Sequence, residues 1–193
     1  MSSSAVPDPL GAAVLASCRH SFSTYKTLAD RALAHLTDAE WLHVPAPGSN
    51  SAAIIVRHLV GNLRSRFTDF LTTDGENPTR QRDLEFEQPA SAAEIPALRQ
   101  DWEAAWNSLF ELLAELQPTD LLRTVTIRGE AHTVLDAVQR QVAHYAGHVG
   151  QLVLLAKIIR GEAFQSLSIP RGQSTQFNRQ MAARANPGPA SSV

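Results

Sequence analysis

An all-α fold, a four-helix bundle with a short β-hairpin before its last long helix, is predicted by three observations. Four segments of similar length carry apolar residues at helical spacing, and each is followed by residues that cap or break a helix. The one stretch of period-two alternation is short and centred on a glycine, too little for a sheet-based core. The 193 residues are 44% hydrophobic and 19% charged, enough for one good core and too few for two, so one domain is expected.

The first helix is read from Leu10, Val14, Cys18, Phe22, Tyr25, Leu28, Ala32 and Leu36, and Pro45-Ala46-Pro47-Gly48 turns the chain after it. Asn50-Ser51 offers an N-cap for a second helix with Ile55, Leu59, Leu63, Phe67 and Phe70 on one stripe, running until Thr72-Thr73-Asp74-Gly75. From there to about Ala90 the chain is polar, and the run from Asp74 and Glu76 to Arg80, Arg82 and Asp83, mixed in sign, is expected to be a solvated loop. Leu98, Trp102, Trp106, Leu109, Leu113 and Leu116 form the third helix, whose indoles belong to the core, and Pro118 closes it. Thr124–Ile127, a turn at Arg128-Gly129-Glu130 and Ala131–Val134 make the hairpin. A fourth helix runs from about Thr133 to Arg160 and is capped by Gly161. The domain therefore spans residues 9–181, with disordered ends at 1–8 and 182–193, which are rich in Ser and Pro.

Charge and cysteine content exclude several functions. The 17 basic and 19 acidic residues leave a net charge of −2, so no polybasic field exists to bind nucleic acid. Cys18 is the single cysteine, which rules out an intrachain disulfide or a Cys-rich metal cluster. The longest strictly apolar run, near Val153 to Ala156, falls far short of the roughly 20 residues of a membrane span. Leu15-Ala16-Ser17-Cys18 has the form of a lipobox, but no Lys or Arg precedes it and Pro7-Asp8-Pro9 breaks the apolar stretch it needs. A cytoplasmic protein without membrane contact is expected.

The seven histidines are the chemically interesting minority. His144 and His148 are four apart on the fourth helix and point within about 40° of each other, so both can reach one ion. Ala137, Leu152, Leu155 and Ile159 share that arc, which places the pair on the inward side. A buried ring nitrogen left unpaired costs on the order of 1–3 kcal/mol, and one metal ion satisfies two of them together. His58 lies beside the Ile55–Leu59–Leu63 stripe of the second helix, where Gly61 and Ser65 leave room for an open pocket. Three neutral imidazoles from two helices match a divalent site with an open position: Zn2+ or Ni2+, with Fe2+ or Mn2+ as alternatives. His20, His35, His43 and His132 have no such context and are read as structural.

The run from Asn50-Ser51 through Ile54-Ile55-Val56-Arg57-His58-Leu59-Val60-Gly61-Asn62 to Ser65-Arg66-Phe67 and Asp74-Gly75-Glu76 resembles the DinB/YfiT-like superfamily of metal-binding four-helix proteins. His144-Tyr145-Ala146-Gly147-His148-Val149-Gly150-Gln151, followed by Gln165 to Gln173-Ser174, is similar to one subfamily of it without an established function. The resemblance covers about residues 10–178. It implies an antiparallel bundle in up-down-down-up order, commonly a homodimer, and a divalent metal on His58, His144 and His148. It also implies transferase or isomerase chemistry with a low-molecular-weight thiol such as bacillithiol, mycothiol or glutathione.

An ion held by three neutral imidazoles keeps its full charge and can polarise a carbonyl, acidify water or hold a thiolate. Peptidase-type hydrolysis needs a carboxylate base, but the position a His-Glu-x-x-His motif would give to Glu is Tyr145, and Asp136 points away. Thiol transfer needs no separate base, which favours a metal-dependent S-transferase acting on a small electrophile. A hydrolase and a non-catalytic metal-stabilised binding module are the alternatives. Asn62, Gln141 and Gln151 flank the histidines as substrate-orienting groups or supports for the rings, and Arg171, in the segment after the fourth helix, is placed to meet a carboxylate over the pocket mouth.

Overall fold

A computed structural model describes residues 8–185. It is mostly helical, with five helices and one small antiparallel sheet of two strands. Helix α1 (Pro9–Leu33) starts where Asp8 accepts a hydrogen bond from the Gly11 amide at 2.8 Å and Pro9 supplies a preset first turn. Helix α2 (Ala52–Phe67) is capped by Ser51, whose Oγ accepts from the Ile54 amide at 3.2 Å. It ends a turn earlier than its apolar stripe suggested, because Thr68 is extended and Asp69 takes a left-handed φ of 48°. Helix α3 (Ile95–Glu115) carries the two core indoles.

Strands β1 (Thr124–Ile127) and β2 (Glu130–Thr133) pair in the register Thr124 to Thr133 and Ile127 to Glu130. The two residues between them, Arg128 and Gly129, have φ of 57° and 77°, the double left-handed turn that matches strand twist. Helix α4 (Val134–Arg160) follows at once, capped by Thr133, whose Oγ1 accepts from the Asp136 amide at 3.0 Å, and closed by Gly161 at φ 52°. A further helix, α5 (Ser174–Ala185), is exposed throughout and was hidden by its low apolar content. The ends expected to be loose, 1–8 and 182–193, lie outside the described residues except for Asp8, which caps α1, and 182–185, which close α5.

Packing joins α1 to α4 and α2 to α3, with further contacts of α2 to α4 and α1 to α3, so one core collects side chains from all four long helices. At its centre Phe22, Trp106 and Tyr145 meet with ring centroids 5.5–6.4 Å apart, and all three are fully buried. The segment Val134–Ala163 has an 18-residue window of mean hydropathy 1.2, which makes it long and apolar enough to cross a membrane by composition. His, Gln and Gly interrupt this window, so it holds no long strictly apolar run. Its stripe of Ala137, Val138, Tyr145, Val149, Leu152 and Ala156 is buried in the helical core.

Candidate metal centre

Tyr145 and Val149 occupy the centre of α4's buried stripe, so His144 and His148 fall on its shoulder and are half-buried. The sequence-predicted inward direction is thus corrected to a shoulder, which leaves the pair accessible from one side. His58 projects from α2 and is buried. Its Nε2 lies 3.3 Å from His144 Nε2, which in turn lies 3.1 Å from His148 Nε2. Among the described residues these three form a group that could hold a metal ion.

The other nitrogen of each ring is engaged. His58 Nδ1 is 2.9 Å from Glu85 Oε2, His144 Nδ1 is 3.3 Å from Gln141 Oε1, and His148 Nδ1 is 3.1 Å from Gln151 Oε1. Each oxygen accepts, so each Nδ1 carries a proton, and in a neutral ring this leaves Nε2 with a lone pair. Nitrogens this close share either a proton or a cation. Two nitrogens bound to one ion at 2.0–2.1 Å stand about 2.9 to 3.4 Å apart for angles from square to tetrahedral, and both short separations fall in that range. The residues therefore fit a divalent ion. Burial, then the His148 and His58 charges, push the His144 imidazole down to about 4, and burial with His58 lowers His148, so both rings are neutral at neutral pH.

Glu85 is the residue that sequence reasoning missed. It sits in the 3-10 turn Arg82–Phe86 of the α2–α3 connection, the stretch expected to be a solvated loop. That expectation is corrected for Arg80 and Glu85, whose side chains are 4% and 8% exposed, while Arg82 and Asp83 stay exposed. Arg80 holds Glu85 through both oxygens, Nε to Oε1 at 2.6 Å and Nη2 to Oε2 at 2.8 Å. Burial raises the Glu85 carboxyl, but hydrogen bonds and charge from Arg80 and His58 outweigh it and leave it below its ordinary value. The carboxylate is seated against Gly61, where an added Cβ would overlap it. The Glu85 carboxylate takes up the room at Gly61 beside His58, while Gly61 also lines clefts of about 600 and 270 Å³ that do not include the histidines. Ser65 lines the smaller of these clefts and also bridges the loop, donating to the Gly75 carbonyl at 2.8 Å and accepting from the Asn77 amide at 3.0 Å.

The loop is further fixed to the hairpin. Asp74 accepts from the Arg128 and Gly129 amides, each at 2.8 Å, and the Gly75 amide donates to the Thr126 carbonyl at 2.7 Å. Arg66 reaches the Gly75 carbonyl and Glu76, the latter at 2.9 Å.

Of the flanking groups, Gln141 and Gln151 act on the histidine rings themselves. Asn62 accepts from the Tyr145 hydroxyl at 3.0 Å, and burial raises that hydroxyl well above its usual value. Arg171 is exposed and is not among the residues that line the cleft beside the histidines. That cleft, about 190 Å³, is bordered by His58 and His144. The remaining histidines hold no shared site: His35 stacks on Phe164 at 4.7 Å, and His132 faces Glu130 at 3.9 Å.

No curated protein and no solved structure matches the chain. Residues 10–173, spanning α1 to the segment before α5, match the model of a family described as "protein of unknown function (DUF1572)", and the chain belongs to that family.

Proposed function

We propose that the protein is a metal-dependent enzyme of the thiol S-transferase type, acting on a small electrophile, with His58, His144 and His148 holding Zn2+ or Ni2+. The observation that carries this reading is the convergence of three Nε2 atoms, 3.1 and 3.3 Å apart, each on a ring whose Nδ1 is already engaged. A bound divalent ion would supply Lewis acidity sufficient to keep a thiol in its anionic form without a side-chain base. The protein's own residues set the rest. Glu85, Gln141 and Gln151 fix the ring tautomers, and the shoulder position of the α4 pair leaves one side open to the cleft.

The same observations weigh against a hydrolase. Glu85 is the carboxylate beside the histidines, and both of its oxygens are already held by Arg80 and His58. Tyr145, at the position where a peptidase has its glutamate, is fully buried and bonded to Asn62. The reading extends to an up-down-down-up arrangement of α1 to α4 and to a cytoplasmic homodimer, in which Leu154 and Ile158, 57% and 52% exposed on α4, offer apolar surface for the second copy.

Conjugation of a panel of thiols with small electrophiles, before and after treatment with a chelator, tests the proposal. Activity that disappears with the metal and returns on its restoration is expected. Silence across the panel from fully metal-loaded protein overturns the enzyme and leaves a metal-stabilised binding module.

A further inference from the structure

Five arginines from four separate parts of the chain line the cleft beside the histidines: Arg66 on α2, Arg80 and Arg82 on the α2–α3 connection, Arg128 in the hairpin turn and Arg140 on α4. Two carboxylates balance part of this charge. Glu76 lies 2.9 Å from Arg66, 3.0 Å from Arg128 and 3.7 Å from Arg80, and Glu85 is occupied with Arg80 and His58. Among the described residues no acidic group pairs with Arg82 or Arg140; the Arg82 guanidinium lies over the Phe86 ring at 5.0 Å. Arg66 is buried, yet its Nε has no hydrogen-bond partner. Like charges brought together in a partly desolvated cleft repel, and a divalent ion on the histidines would add to the excess. A chain with a net charge of −2 has no general surplus of cations, so this concentration is local.

We infer that the cleft is the subsite for a small molecule carrying at least two negative charges, as carboxylates or a phosphate, held by the guanidinium forks with its reacting end toward His58 and His144. The inference builds on the metal-centre reading only for that orientation; the excess of arginine stands without it. A guanidinium matches a carboxylate or phosphate through two parallel N–H donors, and Asn62 and Gln141 add neutral polar groups at the same cleft. At about 190 Å³ the space is below the 300–1,000 Å³ range of pockets for drug-sized ligands, so it suits a compact acid and not a duplex backbone.

Isothermal titration of the full chain, metal-loaded and chelator-stripped, with malate and with inorganic phosphate tests this directly. Arg82→Ala, Arg140→Ala and the double variant remove exposed side chains without an acidic partner, so folding is expected to persist and is checked by circular dichroism. Arg171→Ala controls for an exposed arginine elsewhere. Wild type and Arg171→Ala are expected to bind at least one probe with one-to-one stoichiometry, and the double variant to bind it about tenfold or more weakly with its metal content unchanged. Equal affinity in wild type and double variant, or no binding of either probe by wild type, overturns the inference. Anion binding that persists in a protein unable to hold metal supports it and overturns the metal-centre reading alone. A short DNA duplex that binds more tightly than either probe and is lost in the same double variant overturns the small-molecule assignment.

Discussion

Gly61 and Glu85 occupy the same space: the carboxylate rests where a side chain at residue 61 would begin, and from there it accepts the Nδ1 proton of His58 at 2.9 Å. Gly61→Ala therefore tests the site through a residue that never touches a metal. Alanine favours a helix over glycine by about 1 kcal/mol, yet here its methyl must displace Glu85. A fall in metal affinity of about 10–100-fold, the usual effect of losing such a partner, is expected in a competitive chelator titration. Gly147→Ala is the counterpart on α4, where nothing lies within 4 Å, and thermal unfolding should show it neutral to stabilising by up to about 1 kcal/mol with metal affinity unchanged.

The three histidines are expected to act as a unit. His58→Ala, His144→Ala and His148→Ala should each lose stoichiometric metal by elemental analysis of purified protein, while His20→Ala and His35→Ala retain it. Metal bound equally by all three single variants would place the ion elsewhere.

Glu85→Gln keeps the shape of the side chain and removes its charge. The new amide has one accepting oxygen where the carboxylate serves His58 and both Arg80 contacts. Metal affinity is expected to fall about 10–100-fold, with the helical circular dichroism signal preserved. Loss of folding together with metal would mean that Glu85 is chiefly a structural anchor.

Tyr145→Phe separates core polarity from metal binding. It leaves the buried Asn62 oxygen without its donor at 3.0 Å, and a loss of about 1–3 kcal/mol is expected in denaturant unfolding. Metal content should be unchanged, because Tyr145 lies on the core side of α4 while His144 and His148 lie on its shoulder.

Asp74 links the loop to the hairpin, and its pH dependence follows from its contacts. Amide hydrogen bonds from Glu76 and Gly129 lead, with Arg128 contributing, and they hold its carboxyl below the ordinary 3.8. An acid whose folded value is lowered adds stability in full above its unfolded value and loses it as pH falls through the folded one. The melting temperature of wild type should therefore drop more between about pH 5 and about pH 3 than that of Asp74→Asn, which has no charge to lose. Equal drops would show that the amides do not favour the ionised form.

The three candidate ligands were legible before any tertiary structure because two of them share a helix. A four-residue spacing fixes the relative direction of His144 and His148 through backbone geometry alone, and Gln141 and Gln151, three residues from each, reach the rings by the same periodicity. The caps at Ser51 and Gly161 and the hairpin were legible for a similar reason, since each depends on contacts within a few residues, although the turn is two residues and not the three expected, Glu130 belonging to β2. Glu85 was not. It is 27 residues from His58, in a run of mixed charge where Asp83, Glu85 and Glu87 alternate, and no local rule distinguishes the one that turns inward.

By itself the sequence determined the four long helices, the hairpin and the phase of each histidine on its helix, because those follow from short-range hydrogen bonding and the 3.6-residue repeat. Tertiary structure alone decided that α2 and α4 bring three Nε2 atoms together, and that a charged loop folds inward to seat Glu85 on Gly61. It also gathered arginines from α2, the loop, the hairpin and α4 around one cleft. These outcomes depend on how distant segments close on one another, and that is set by the packing of the shared core and by ion pairs whose partners are far apart in the chain.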